Sequence, residues 1–260
     1  MHSILEQRPI EPVAATEPRT RLRFSPSPIS LHDRLQARSA AILSALEANL
    51  WRIGLLWVVL IGAGAALRVG TSASLSSALP YLVLLIAPPL AMIAGLAGFR
   101  SGPVPAEVGR HPLYGANGLM LSLLLALLGS VALRAIELLT ASPAVGDNAP
   151  EWLGGLHLLL TIDATVAGSL YALAFAAALR RSTWFPTALL AIWGCDLLLQ
   201  LGVARAAQTL DLPANVSAAL HLLLQGNATR VLVSLAIWLP YLLLSARVAV
   251  TYRHRLPGRA

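Results

Sequence analysis

The chain has 260 residues, of which 57% are hydrophobic and only 12% charged, about half the charged share of an ordinary soluble domain. Its formal net charge of +7 comes wholly from arginine, because lysine is absent, so every positive charge is permanent. This balance excludes a soluble domain with one apolar stripe per helix. Because the arginines are scattered through links and tails, it also argues against nucleic acid and for anionic lipid headgroups as the charged partner.

Residues 1–29 carry Pro9, Pro12, Pro18, Pro26 and Pro28 among charges of both signs without an apolar period, which reads as a disordered tail. From Ser30 the pattern turns helical: Ser30 is a capping residue with Asp33 three positions on, and Leu31, Leu35, Ile42, Leu46 and Leu50 recur at roughly helical spacing. Two readings stay open for this segment, an amphipathic helix on the membrane surface or an extension of the first span. A basic start, short apolar core and small-residue cleavage site are missing from the first fifty residues, so the first span acts as its own insertion signal.

Six apolar stretches follow, drawn at residues 53–69, 78–99, 115–139, 152–179, 185–204 and 229–250. The first covers only about 25 Å at about 1.5 Å rise per residue. Trp51 and Arg52 are placed to lengthen it by snorkelling. All arginines except Arg68, Arg134, Arg205 and Arg230 fall on one side of this arrangement, which predicts that both termini are cytoplasmic. Aromatic anchors agree: Trp51, Tyr114, Trp184 and Tyr252 fall at inner boundaries, Tyr81 and Trp152 at outer ones.

Local irregularities carry their own expectations. Pro88-Pro89 and Pro240 cannot donate amide bonds, which frees the carbonyls of Leu84, Leu85 and Ala236 and predicts kinks. In the outer link 206–228, Asn215 is placed to cap a short helix over 216–225, closed by Gly226 and too short to span. Ala164, Gly168, Ala172 and Ala176 recur every four residues, so this fourth span is predicted to be central. The partner of that small-residue face is either a helix of the same chain or a second copy.

The end of the chain, Ala236-Ile-Trp-Leu-Pro-Tyr-Leu-Leu-Leu-Ser-Ala-Arg-Val-Ala-Val-Thr-Tyr252, carries Trp238, the Pro240-Tyr241 pair, and Ser245, Arg247 and Val248 as Ser-x-Arg-Val. This resembles the closing signature of the bacterial membrane family called domain of unknown function 2569. Arg180-Arg181-Ser-Thr-Trp-Phe-Pro186 resembles that family's basic, aromatic, proline link, and Tyr114-Gly-Ala-Asn-Gly118 its Gly-rich first-helix entry, although the family's Gly-Gly-Trp is Asn117-Gly118-Leu119 here. The resemblance covers about residues 112–254 and implies a four-helix membrane unit without an assigned activity. It divides the chain into a cytoplasmic tail with a juxtamembrane helix (1–50), a two-helix membrane extension (51–111), the family-like unit (112–254) and a short tail (255–260).

Asp163 and Asp196 lie well inside the fourth and fifth spans, where an uncompensated carboxylate costs a few kcal/mol. Those spans run antiparallel, so each aspartate lies about 15 Å from the outer end of its helix and the two are predicted to face each other. Arg134 and Glu137, His157 and Thr161, and Gln200 and Arg205 lie nearby in the outer half, with Asp196 and Gln200 sharing a face at i, i+4. In the functional reading this cluster binds a cation or relays a proton. In the structural reading, the preferred one, Arg134 and Arg205 pair with the aspartates and fix helix register, since such networks also join membrane helices.

Other chemistry is thin. Cys195 is the single cysteine, so an intramolecular disulfide and a cysteine-based metal cluster are excluded. His111 reads as interfacial, and His221 has no acidic partner at metal-ligand spacing. Nucleophile elbow, phosphate-cradling glycine loop and His-Glu-x-x-His helix are all absent from the sequence, so no catalytic residue, metal or cofactor is assigned. Asn215-Val-Ser217 and Asn227-Ala-Thr229 are chance matches to glycosylation sequons if the source is bacterial.

The expectation is an all-α polytopic bundle of six spans in a bacterial inner membrane. Its role is structural or accessory, alone, as a homo-oligomer or with other membrane proteins. The alternative is a small ion- or proton-coupled transporter using the aspartates.

Overall fold

The computed structural model describes residues 31–72, 78–100, 102–141, 145–146 and 149–256; the expected tail 1–29, the capping Ser30 and residues 257–260 lie outside this set. The described residues form α1 (Leu31–Ala48), α2 (Leu50–Ser72), α3 (Ala78–Gly98), α4 (Ala106–Gly109), α5 (Leu119–Ala141), α6 (Glu151–Leu179), α7 (Phe185–Ala207), α8 (Ala214–Leu244) and α9 (Ala246–Arg253), with no strand among them. Six of these, α2, α3, α5, α6, α7 and α8, are long and apolar enough to cross a membrane. Their outward faces carry large apolar side chains such as Leu56, Leu67, Leu90 and Leu198, all more than half exposed. Water penalises such a surface and hydrocarbon does not.

The fourth span is central, as its composition predicts. α6 packs against α3, α5 and α7, and Ala164, Gly168, Ala172 and Ala176 are all buried. The small-residue face meets α3 of the same chain: Gly168 faces the Pro88 ring, and a Cβ added at Gly95 would fall 2.7 Å from the Ala176 Cβ. Side chains this small allow two backbones to approach closely, which gives the contact its dispersion energy in a solvent as apolar as leucine.

α3 runs from Ala78 to Gly98 through Pro88 and Pro89. Position 89 has no amide hydrogen for the Leu85 carbonyl, and the Trp57 indole Nε1 donates to that carbonyl instead at 3.0 Å. A side chain of α2 thus satisfies the backbone group that proline opens in α3, and ties the outermost span to the bundle.

Asn49 is the one non-helical residue between α1 and α2; its amide donates to Ala45 and its carbonyl accepts from Arg52 and Ile53. α1 is therefore a separate helix. It meets the protein rather than lipid alone: the Ser39 Oγ accepts from the Gly118 amide at 3.2 Å, and buried Leu43 joins the cluster around Met120 and Leu124.

The sixth span differs from expectation. Instead of a short helix over 216–225 and a span over 229–250, α8 is one helix from Ala214 to Leu244, with Pro213 at its N-cap and no side-chain cap from Asn215. Leu220, Leu224, Asn227 and Val231 are buried at helical spacing on either side of Gly226, so one continuous face packs inward. Gly226 does not end the helix, because a glycine stops one only where the chain turns left-handed. The true break is Ser245, in an extended conformation (ψ 123°), after which α9 folds back under the bundle. There Tyr252 donates to the Ala178 carbonyl at 2.9 Å, Thr251 Oγ1 accepts from the Gly115 amide at 3.1 Å, and Arg253 donates to the Leu242 carbonyl at 3.1 Å. This shift also moves Arg230 from the outer boundary to a position about 24 Å along α8.

Candidate functional site

Arg134 on α5 is the hub of the buried polar cluster. Its Nη2 donates to Asp196 Oδ1 at 2.6 Å and its Nη1 lies 3.4 Å from Asp163 Oδ2, so one guanidinium joins carboxylates of α6 and α7. All three residues are more than nine-tenths buried. The planar fork of arginine suits this double contact, whereas a lysine would offer a single point charge.

The remaining oxygens are held by neutral donors. Gln200, one turn from Asp196 on α7, donates Nε2 to Asp163 Oδ1 at 2.7 Å and to Asp196 Oδ1 at 3.1 Å. Tyr171 on α6 donates its hydroxyl to Asp196 Oδ2 at 2.7 Å. Asn227 on α8 donates Nδ2 to Gln200 Oε1 at 3.4 Å. The network therefore draws on four helices, and Asp196 receives three donors where Asp163 receives two.

Asp163 and Asp196 come together around Arg134, whereas Arg205 does not join them. Glu137 pairs with Arg230 of α8. Arg205 is exposed on the last turn of α7, nine residues beyond Asp196 and five beyond Gln200, and makes no ion pair with either aspartate. His157 is buried with its ring edge-on to Tyr81 at 5.2 Å, and Thr161 donates its hydroxyl to the His157 carbonyl at 2.8 Å. Sequence reasoning missed Tyr171, Asn227 and Arg230. Asn227 was legible only as a sequon; its burial follows from the helical face that runs through Gly226. For Tyr171 the usable signal was a polar-tipped aromatic deep in a span, which needs a hydrogen-bond partner.

Charge does not balance within this group. Arg134 and Arg230 face Asp163, Asp196 and Glu137, which leaves one carboxylate in excess when all five are ionised. Two small cavities adjoin Arg134. One of about 40 Å³ is lined by Ser130, Tyr171, Asp196 and Asn227, and one of about 10 Å³ by Glu137, Asp163 and Asn227. Spaces of this size hold one to a few waters. The Glu137 Oε2 and Asn227 Oδ1 atoms, from the lining of the smaller one, have no hydrogen-bond partner among the described residues.

The residues of the family-like ending lie at the opposite end of the bundle. Trp238 and Tyr241 stack edge to face at 6.0 Å on α8, Pro240 is exposed on the same helix, Ser245 makes the break, Arg247 is half-buried and Val248 is fully buried in α9. Among the described residues no group of three or more His, Cys, Asp and Glu side chains is arranged to hold a metal ion. No protein-family model, no curated protein and no solved structure matches this chain.

Proposed function

We propose that this multi-pass membrane protein is a structural or accessory component of a bacterial inner membrane, without enzymatic activity of its own, and that it is related to the domain of unknown function 2569 family through residues 112–254. The observation that carries the reading is Arg134 bonded to Asp163 and Asp196 at once, with Gln200 and Tyr171 holding the other oxygens. A guanidinium committed to two carboxylates on two other helices fixes the register of three spans and stays bound to them. The family relation is inferred from the sequence of the basic link and the closing motif.

Reconstitution into vesicles loaded with a pH-sensitive dye tests this. Wild-type protein is expected to add no proton or sodium flux over empty vesicles, and Arg134→Gln to lower thermal stability. Flux that vanishes in Asp163→Asn would overturn the scaffold reading. A second reading, a small proton- or cation-coupled transporter, is favoured by the excess carboxylate: a buried surplus of one negative charge is costly in hydrocarbon and is relieved by a bound proton or monovalent cation. In that reading Asp163, with fewer donors, is the exchanging site.

A further inference from the structure

A second polar feature lies at the end of the bundle where α1 and α9 gather. Glu47 and Leu50 from the α1–α2 junction, Leu96 near the end of α3, and Leu179, Arg180 and Arg181 from the end of α6 line a cavity of about 450 Å³. Leucines form one wall, and among the described lining residues two guanidinium groups accompany a single carboxylate, so that lining is amphiphilic and basic on balance.

Arg181 is held there at a backbone cost. α6 ends in a Schellman motif, with the Ser182 amide donating to Ala177 at 3.0 Å and the Arg181 amide to Ala178 at 3.1 Å. The residue in the left-handed position is Arg181, at φ 53°, where glycine is the unstrained choice. Strain retained at a non-glycine residue points to work done by the side chain. That side chain is incompletely used within the protein. It lies 5.4 Å over the Tyr114 ring, its Nη2 is 3.9 Å from Glu47 Oε1, and its buried Nε has no hydrogen-bond partner among the described residues. Arg180 is anchored beside it, its Nε donating to the Leu96 carbonyl at 2.8 Å.

We propose that this cavity binds the phosphate of an anionic phospholipid. Arg181 takes the phosphate oxygens in a forked contact while Arg180 adds its charge beside it, Leu50, Leu96 and Leu179 take the glycerol end of the acyl chains, and Glu47 is the internal competitor that the phosphate displaces. The lipid is preferred to a free phosphate ion because half of the lining is leucine and the cavity opens at the ends of membrane-crossing helices. The proposal rests on this site alone and is independent of the role of the Arg134 cluster.

The test is thermal unfolding of the full chain in a neutral detergent, with phosphatidylglycerol, phosphatidylcholine or inorganic phosphate added. Phosphatidylglycerol is expected to raise the melting temperature by several degrees, the other two not at all. Arg181→Gly removes the guanidinium and relieves the backbone, so it should fold and lose most of the phosphatidylglycerol shift. Arg180→Gln should also reduce the shift, and Glu47→Gln should enlarge it. Equal shifts from both lipids, a shift undiminished in both arginine variants, or the same shift from inorganic phosphate would each overturn the proposal.

Discussion

At the scale of single residues, the protein is organised by polar groups that solve problems created by lipid. Arg134 pairs with two buried carboxylates, and replacing it with glutamine leaves both without a charged partner. The expected loss is about 3–5 kcal/mol, the range for breaking a buried ion pair from one side. Asp163→Asn is expected to cost far less, because Asp163 is the excess carboxylate and its arginine contact is the long one at 3.4 Å. Melting curves of the two variants in the same detergent check the order; a larger loss in Asp163→Asn contradicts it. Trp57 offers a sharper test. Its bond to the Leu85 carbonyl matters because Pro89 supplies no amide, so Trp57→Phe should cost about 1 kcal/mol beyond its lost packing in the native background and little of that in a Pro89→Ala background. A double-mutant cycle without coupling rules the compensation out.

At the scale of helices, close approach and continuity decide the packing. A Cβ at Gly95 would meet the Ala176 Cβ at 2.7 Å, a methyl fixed to the α6 backbone, whereas a Cβ at Gly64 would meet the Leu139 Cδ1 at the same distance, the end of a side chain that can turn away. Gly95→Ala should therefore destabilise by about 1–3 kcal/mol and Gly64→Ala by little, as read by melting temperature. The fold-back of α9 makes a pH prediction. Burial pushes the Tyr252 phenol above its ordinary value, so the contribution of its neutral hydroxyl is present below about pH 10 and declines as the unfolded chain ionises above it. Alkaline melting curves should fall more steeply in the wild type than in Tyr252→Phe.

Legibility in the sequence follows the same physics. Spans two to five were readable because an unbroken apolar run has one explanation in lipid, and the shared depth of Asp163 and Asp196 was readable because antiparallel helices of known rise fix relative depth. The sixth span was misread because Gly226, Asn227, Thr229 and Arg230 look like a polar link. Read as one helical face, Leu220, Leu224, Asn227 and Val231 carry the period through that stretch. Arg205 was placed in the cluster by depth alone, which says nothing about the direction in which a side chain leaves its helix.

At the scale of the whole molecule, the account depends on six crossings with both ends of the chain on one side. Arg38 in α1, Asp211 in the α7–α8 link and Arg255 beyond α9 are all exposed, and Cys195 is the lone native cysteine. In a Cys195→Ala background, single cysteines introduced as Arg38→Cys, Asp211→Cys and Arg255→Cys would be labelled in intact cells with a membrane-impermeant maleimide. The account predicts that Asp211→Cys reacts from outside, while Arg38→Cys and Arg255→Cys react only after the membrane is opened. Reaction of Arg38→Cys and Arg255→Cys from opposite faces, or of all three from the same face, contradicts it.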